Sequence, residues 1–301
     1  MKKTILLMAF AVVAAVSAQA QLLYKISGNG LTKPSYIIGT YHLAPVSFVD
    51  SIPGVKDALA SADQVYGELD MSNMFEQESI AKIQAAMMLP EGQTLQTILT
   101  AEQQQKLNGV LKELMGMDLT NPMAAAQLGK ISPQALVTQL SLLIFLKKSP
   151  SFDINHTFDG YFQEQAKAQG KPVGGFETVD FQCKALYGST SMERQVELLM
   201  CFLDHRDWME LHSEQLVKAF FAQDLDAIAE VVDQKMNNAC DATAEEDETL
   251  IYGRNAEWLK AMPAVMSAKS TFFAVGAAHL VGEQGVLAGL RKSGYTVEGV
   301  K

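Results

Sequence analysis

The sequence predicts an α/β protein with a mixed, largely parallel central sheet flanked by helices and carrying a helical cap insert. Three observations carry that expectation. Short β-rich apolar runs are spread along the whole chain, and several are separated by stretches with helical periodicity. Between Met71 and Pro150 this alternation lapses into a Gln-, Ala-, Leu- and Met-rich segment. The composition agrees: 301 residues, 48% hydrophobic and 19% charged, are ample for an ordinary core.

The chain opens with Lys2 and Lys3, an apolar run from Ile5 to Val13, and Ala18-Gln19-Ala20. A basic start, a short apolar stretch and a small-x-small site form the pattern of a cleavable secretory signal, expected to occupy residues 1–20. The run is too short to span a bilayer, and no later segment is apolar enough, so no membrane span is expected after cleavage. The expected product is exported, periplasmic or secreted.

Strands are expected at Leu22 to Ile26, Tyr36 to Gly39, Gln64 to Leu69, Pro172 to Phe176, Thr271 to Val275 and Tyr295 to Val300. The clearest strand–helix–strand unit is the last, with Gly294 stopping the helix before Tyr295. A second begins with a helix over Phe158 to Gln169, stopped by Gly170. In the intervening segment Pro90, Pro122 and Pro133 mark breaks between helices. Residues 191–235 read as helical, with a turn at Gln223-Asp224, and Glu245 to Glu248 suits the first turn of a helix.

Charge and cysteine content narrow the function. A formal net charge of −10 with no basic stripe argues against a nucleic-acid partner, which needs clustered Lys and Arg. Cys183, Cys201 and Cys240 have no zinc-site spacing. In an oxidising compartment the expectation is one disulfide with one thiol left over, or three buried thiols, and the sequence does not select the pair.

One repeat carries chemistry. Tyr36-Ile37-Ile38-Gly39-Thr40-Tyr41-His42-Leu43 returns as Phe273-Ala274-Val275-Gly276-Ala277-Ala278-His279-Leu280. Each copy is an apolar strand, a glycine, two residues and His-Leu, so each histidine projects just past a strand's carboxyl end, where open α/β sheets place ligands. Two of the five histidines in one setting are more than a pair of capped core residues. Glu68 and Glu177 also follow strands. Two histidines with such carboxylates suit either a divalent metal or metal-free acid–base chemistry. Arg254 and Trp258 share a helix face; Arg254 suits an oxyanion or a structural ion pair, and Asn255 a site or a cap. His156, His205 and His212 read as helix-start or helix-face residues.

The ordered set Gly39-Thr40-Tyr41-His42-Leu43, Glu68, Asp159, Gly170 to Thr178, Gln182, Arg254-Asn255, Val275 to Gly282 and Gly294 to Val297 resembles the TraB/GumN family, which is related to the TIKI proteins. The resemblance covers about residues 22–300. It implies one α/β domain over 21–301, with the helical insert at about 72–150. The core would be similar to that of erythromycin-esterase-like and haem-binding ChaN-like proteins. It also implies a hydrolase, foremost a metal-dependent peptidase acting on a peptide or protein substrate. His42, His279 and Glu68 would hold Mn²⁺ or Co²⁺, with Glu68 as proton acceptor or part of the metal shell. In that reading Arg254 and Asn255 stabilise the oxyanion and Glu177 orients a histidine. A metal-free esterase-like hydrolase and a non-enzymatic peptide- or haem-binding protein are the alternatives.

Overall fold

The computed structural model describes residues 21–301. The expected secretory signal over 1–20 lies outside them. Strands form where apolar, β-branched and aromatic residues cluster: β1 (Leu23–Ser27), β2 (Ser35–Thr40), β3 (Gln64–Gly67), β4 (Val173–Gly175), β5 (Thr271–Gly276) and β6 (Thr296–Gly299). They make one six-stranded sheet in the order β4-β3-β5-β2-β1-β6. β3 pairs in parallel with both β4 and β5, and β5 pairs in parallel with β2. β1 runs antiparallel to its neighbours β2 and β6. The sheet is thus mixed and largely parallel, as the sequence predicts.

The pairings follow from local chemistry. β1 and β2 are joined by a tight turn in which Gly28, Asn29 and Gly30 all take positive φ, conformations that glycine and asparagine adopt at little cost. β5 lies at the centre of the sheet, and Thr271 to Val275 are buried throughout. That explains why Phe272-Phe273-Ala274-Val275 is a continuous apolar run rather than an alternating one. Both edge strands are short, which limits unpaired backbone at the rims.

The helices against the sheet bury one stripe each. Phe158, Phe162 and Ala166 recur every fourth residue in the helix Phe158–Ala168, and all three are fully buried. Trp258, Met262 and Met266 repeat the pattern in the helix Gly253–Ala268. Phe162 stacks on Phe272, with ring centroids 5.1 Å apart, so helix and central strand share one aromatic layer.

A second core is built around Leu95, Leu107, Leu111, Leu136, Leu140 and Leu199, all of them on helices. Its helices start at strong caps: Thr100 with Gln103 in a capping box, and Ser132 ahead of Pro133 at the first helical position. Pro122 likewise begins the helix Pro122–Leu128. The expected helical stretch at 191–235 divides into Met192–Asp204, Arg206–Phe221 and Leu225–Val232. Gln223 takes positive φ at the second break. A disulfide joins Cys201 to Cys240, leaving Cys183 free. Among the described residues no helix is long and apolar enough to cross a membrane.

Candidate functional site

Because β2, β3, β4 and β5 are mutually parallel, their carboxyl ends lie along one edge of the sheet. His42 follows β2, Glu68 follows β3, Glu177 follows β4, and His279 closes the short 3₁₀ turn Ala277–His279 after β5. His42, Glu68 and His279 line a cavity of about 510 Å³, together with Asp159 and Arg254. Its remaining wall is largely apolar, including Met71, Met74, Leu186, Leu216, Phe220 and Ile228.

The two glycines of the repeat serve different ends. A Cβ on Gly39 would meet Ala277 Cβ at 3.0 Å, so the first motif packs directly on the second. A Cβ on Gly276 would lie 3.3 Å from Glu68 Oε1. The missing side chain there lets Gly276 N–H donate to that oxygen at 2.8 Å.

His42 and His279 have opposite environments. The Nδ1 of His42 lies 3.0 Å from Asp159 Oδ2, while 73% of its side-chain surface stays open to the cavity. Among the described residues that buried Asp159 oxygen has no hydrogen-bonding partner of regular geometry and faces His42 as an ion pair, while Thr40 donates to Oδ1. The charge of Asp159, reinforced by direct contact with it, raises His42 to about 9, against the opposing effect of its position within the cleft. Asp159 itself is pushed up by burial but held below the usual carboxylate range by His42 and Thr40. Its place in the first turn of the helix Phe158–Ala168 also favours negative charge.

His279 is buried, with Trp258 packed 4.5 Å away between ring centroids. Burial, aided by Arg254 and His42, drives its pKa down to about 4 despite the neighbouring Glu68. Asn255 Nδ2 donates to Gln284 O at 3.0 Å, which turns Asn255 Oδ1 toward His279 Nδ1, 2.7 Å away. The proton therefore belongs on Nδ1, leaving the Nε2 lone pair to accept from Arg254 Nη1 at 3.2 Å.

Arg254 is the hub. Its Nε donates to Glu177 Oε1 at 2.7 Å, and Nη2 donates to Glu177 Oε2 at 2.9 Å and Glu68 Oε2 at 2.5 Å. Nη1 also donates to Leu250 O at 3.0 Å, in the π-helical turn Glu248–Tyr252 that leads into its helix. All of the N–H groups a guanidinium possesses are thereby engaged. Burial opposes the charge of Arg254, yet Glu177 and Glu68 raise its pKa further. Burial likewise pushes Glu68 up, but His279, Arg254, His42 and Gly276 N–H hold it below the usual carboxylate range.

These contacts show where the side chains with expected roles are engaged. Arg254 has no N–H left for an oxyanion, and both ends of the Asn255 amide are committed to holding His279. Glu177 accepts hydrogen bonds from Arg254, from Trp258 Nε1 at 2.9 Å and from Gln182 Nε2 at 3.1 Å, so it meets His279 only through Arg254. Asp159 belongs to the ordered motif set of the sequence but has no expected role in the site; by its local signal alone, an acid in the first turn of a helix, it does not differ from many surface residues.

The expected metal set of His42, His279 and Glu68 meets the same constraint. Among the described residues, no group of three His, Cys, Asp or Glu side chains is arranged to hold a metal ion. The Nε2 lone pair of His279 faces a guanidinium, and both Glu68 oxygens accept hydrogen bonds. In this arrangement the donors do not fit a bound divalent ion.

Residues 22–299 match the TraB/PrgY/gumN family. The chain belongs to that family. Among curated proteins it is similar to metalloprotease TIKI2 of Danio rerio, 25% identical over 88% of this chain and 58% of the relative. It is also similar to metalloprotease TIKI1 of Homo sapiens, 26% identical over 88% of this chain and 59% of the relative. A metalloprotease TIKI homolog of Nematostella vectensis is 23% identical over 90% of this chain and 65% of the relative. The chain thus spans less than two thirds of the length of these relatives. No solved structure matches it.

Proposed function

We propose that this TraB-family chain is an exported hydrolase that cleaves peptide bonds in the cleft at the carboxyl ends of β2, β3 and β5. The observation that carries the reading is a pair of groups with opposite protonation facing one cavity: cationic His42 beside Asp159, and anionic Glu68 beside Arg254. Environments that push two titratable groups apart are how a site divides acid and base work. The printed names of the relatives support a peptidase, and the disulfide supports an oxidising compartment.

Glu68 accepts a proton from the attacking water as the water oxygen bonds to the substrate carbonyl carbon. Oε1 and Oε2 each receive one donor from the protein, and a carboxylate retains further lone pairs for water. The Nδ1 of His42 is held by Asp159, leaving Nε2–H to protonate the departing amine as the C–N bond breaks. His279 and Asn255 fix Arg254, and Arg254 with Glu177 fixes the Glu68 carboxylate. A single domain over 21–301 with a helical insert at about 72–150 belongs to the same proposal, the insert reaching the cleft through Met74.

The relatives' names imply a divalent ion, and Mn²⁺ or Co²⁺ is the expectation from sequence. With Arg254 paired as it is, no step is assigned to one. Incubation of the protein with a peptide library, read by mass spectrometry, tests the proposal. Cleavage should survive exhaustive chelation and fall by about 10²–10⁴-fold in His42→Ala or Glu68→Gln, with circular dichroism unchanged. Undiminished cleavage by His42→Ala removes the assigned acid. Loss on chelation and recovery with Mn²⁺ or Co²⁺ restores the metal expectation. Ester hydrolysis alone, or a Soret band on haem titration without any cleavage, transfers the site to one of the alternative readings.

A further inference from the structure

One histidine of the cleft is held as a metal ligand would be, yet the cation it faces is organic. A metal-ligating histidine ordinarily donates its far N–H to an oxygen acceptor, which fixes the tautomer and aims the other lone pair at the ion. His279 has that arrangement: Nδ1 meets Asn255 Oδ1 at 2.7 Å, and the Asn255 amide is itself anchored on Gln284 O. The lone pair so prepared meets Arg254 Nη1 at 3.2 Å.

The carboxylates converge on the same group. Glu68 Oε2 lies 2.5 Å from Arg254 Nη2, and Glu177 takes the Nε and Nη2 edge of the guanidinium as a fork. Glu68 Oε1 stands 3.9 Å from His279 Nε2. Arg254 is 8% exposed, so its charge is satisfied from within the protein rather than by water. A divalent ion placed among Glu68, His279 and Glu177 would face this guanidinium directly and be repelled by it. It would also compete with Arg254 for the His279 lone pair and the Glu68 carboxylate.

We propose that the guanidinium of Arg254 is the resident cation of this cleft, standing where a divalent ion would sit, and that its removal turns His279, Glu68 and Glu177 into a metal site. The inference concerns cation occupancy alone and does not depend on which bond the cleft hydrolyses. Arg254 is then a positioning residue: it aims Glu68 and holds the neutral tautomer of His279.

The test is Mn²⁺ binding by calorimetry, with metal content by mass spectrometry, on the full chain and on Arg254→Met. Met keeps much of the length of the side chain and removes the charge and every donor. The wild type should show no saturable Mn²⁺ binding. Arg254→Met should gain one site, with affinity up by at least about tenfold, and lose it again in Arg254→Met/His279→Ala. Substituting Co²⁺ should give ligand-field bands in Arg254→Met only. A folded Arg254→Met that binds no ion overturns the proposal. So does a wild type that holds one Mn²⁺ per chain and releases it in His279→Ala, a result that decides even where Arg254→Met fails to fold.

Discussion

His42 shows how far one neighbour sets the work of a side chain. An isolated imidazole titrates near 6.5, and His42 would then be largely neutral at pH 7 and suited to act as a base. Asp159 raises it to about 9, which makes it a cation and gives it the acid's part. A cation that must stay protonated limits activity at high pH, so kcat/KM should fall as pH rises through about 9. Asp159→Asn removes the charge, and the alkaline limb should then move down toward 6.5. A pH–rate profile of the two proteins measures this directly; an unmoved limb would detach Asp159 from the acid. Arg254 gives the complementary lesson. It is cationic and lies in the cleft, yet it has no donor to offer a substrate because the protein engages each of its N–H groups.

At the scale of elements, the site is a property of strand ends. Four parallel strands deliver their following residues to one edge, and close packing between those ends sets the distances. Gly175 marks a close approach of backbone to backbone: a Cβ there would lie 2.5 Å from Asp70 N and 2.7 Å from the Leu69 carbonyl carbon. Both are backbone atoms just past Glu68, and neither can swing aside. Gly175→Ala should therefore cost about 1–3 kcal/mol through forced backbone movement. Urea unfolding would register the loss as a lower midpoint at unchanged slope, and the shift should also disturb Glu68 and reduce turnover. An alanine variant as stable as the parent would mean that β4 and the Leu69 loop are less tightly apposed. The π-helical turn Glu248–Tyr252 acts at the same scale, placing the Leu250 carbonyl beneath Arg254 at the start of its helix.

For the whole molecule, two devices tie stability to conditions. The Cys201–Cys240 disulfide closes a span of 39 residues, a loop long enough for its removal to cost about 2–4 kcal/mol through the freed unfolded chain. Thermal unfolding with and without reductant should show that loss; coincident curves would mean that the reduced chain is equally constrained. His279 supplies a pH dependence. Above pH 6.5 its ring is neutral in both folded and unfolded chains. As pH falls from 6.5 to about 4, the unfolded chain takes up the proton first and the folded state loses on the order of 3 kcal/mol. The variant His279→Gln should flatten the stability curve across that window, and an unchanged slope would place the proton uptake elsewhere. His42 acts in the other direction: its contribution is complete below 6.5 and is lost as pH rises toward about 9.

The positions of all the strands, the helix beginning at Phe158, the break between helices at Pro133, the helical first turn at Glu245, and the paired Gly-x-x-His motifs were legible in the sequence. Each rests on a periodicity or a cap spanning a few neighbouring residues. The location of His42, Glu68 and His279 past strand ends followed from the same local patterns. Other features needed the folded chain. The order β4-β3-β5-β2-β1-β6, the antiparallel setting of β1 and the Cys201–Cys240 pairing depend on which faces pack together. The partners of the charged groups depend on it most: Asp159 reaches Thr40 across 119 residues, and Arg254 reaches Glu68 across 186. No local pattern records such pairs, because a carboxylate or a guanidinium has the same signature in solvent as in a cleft. Burial and contact decide between those fates, and both are set by tertiary packing.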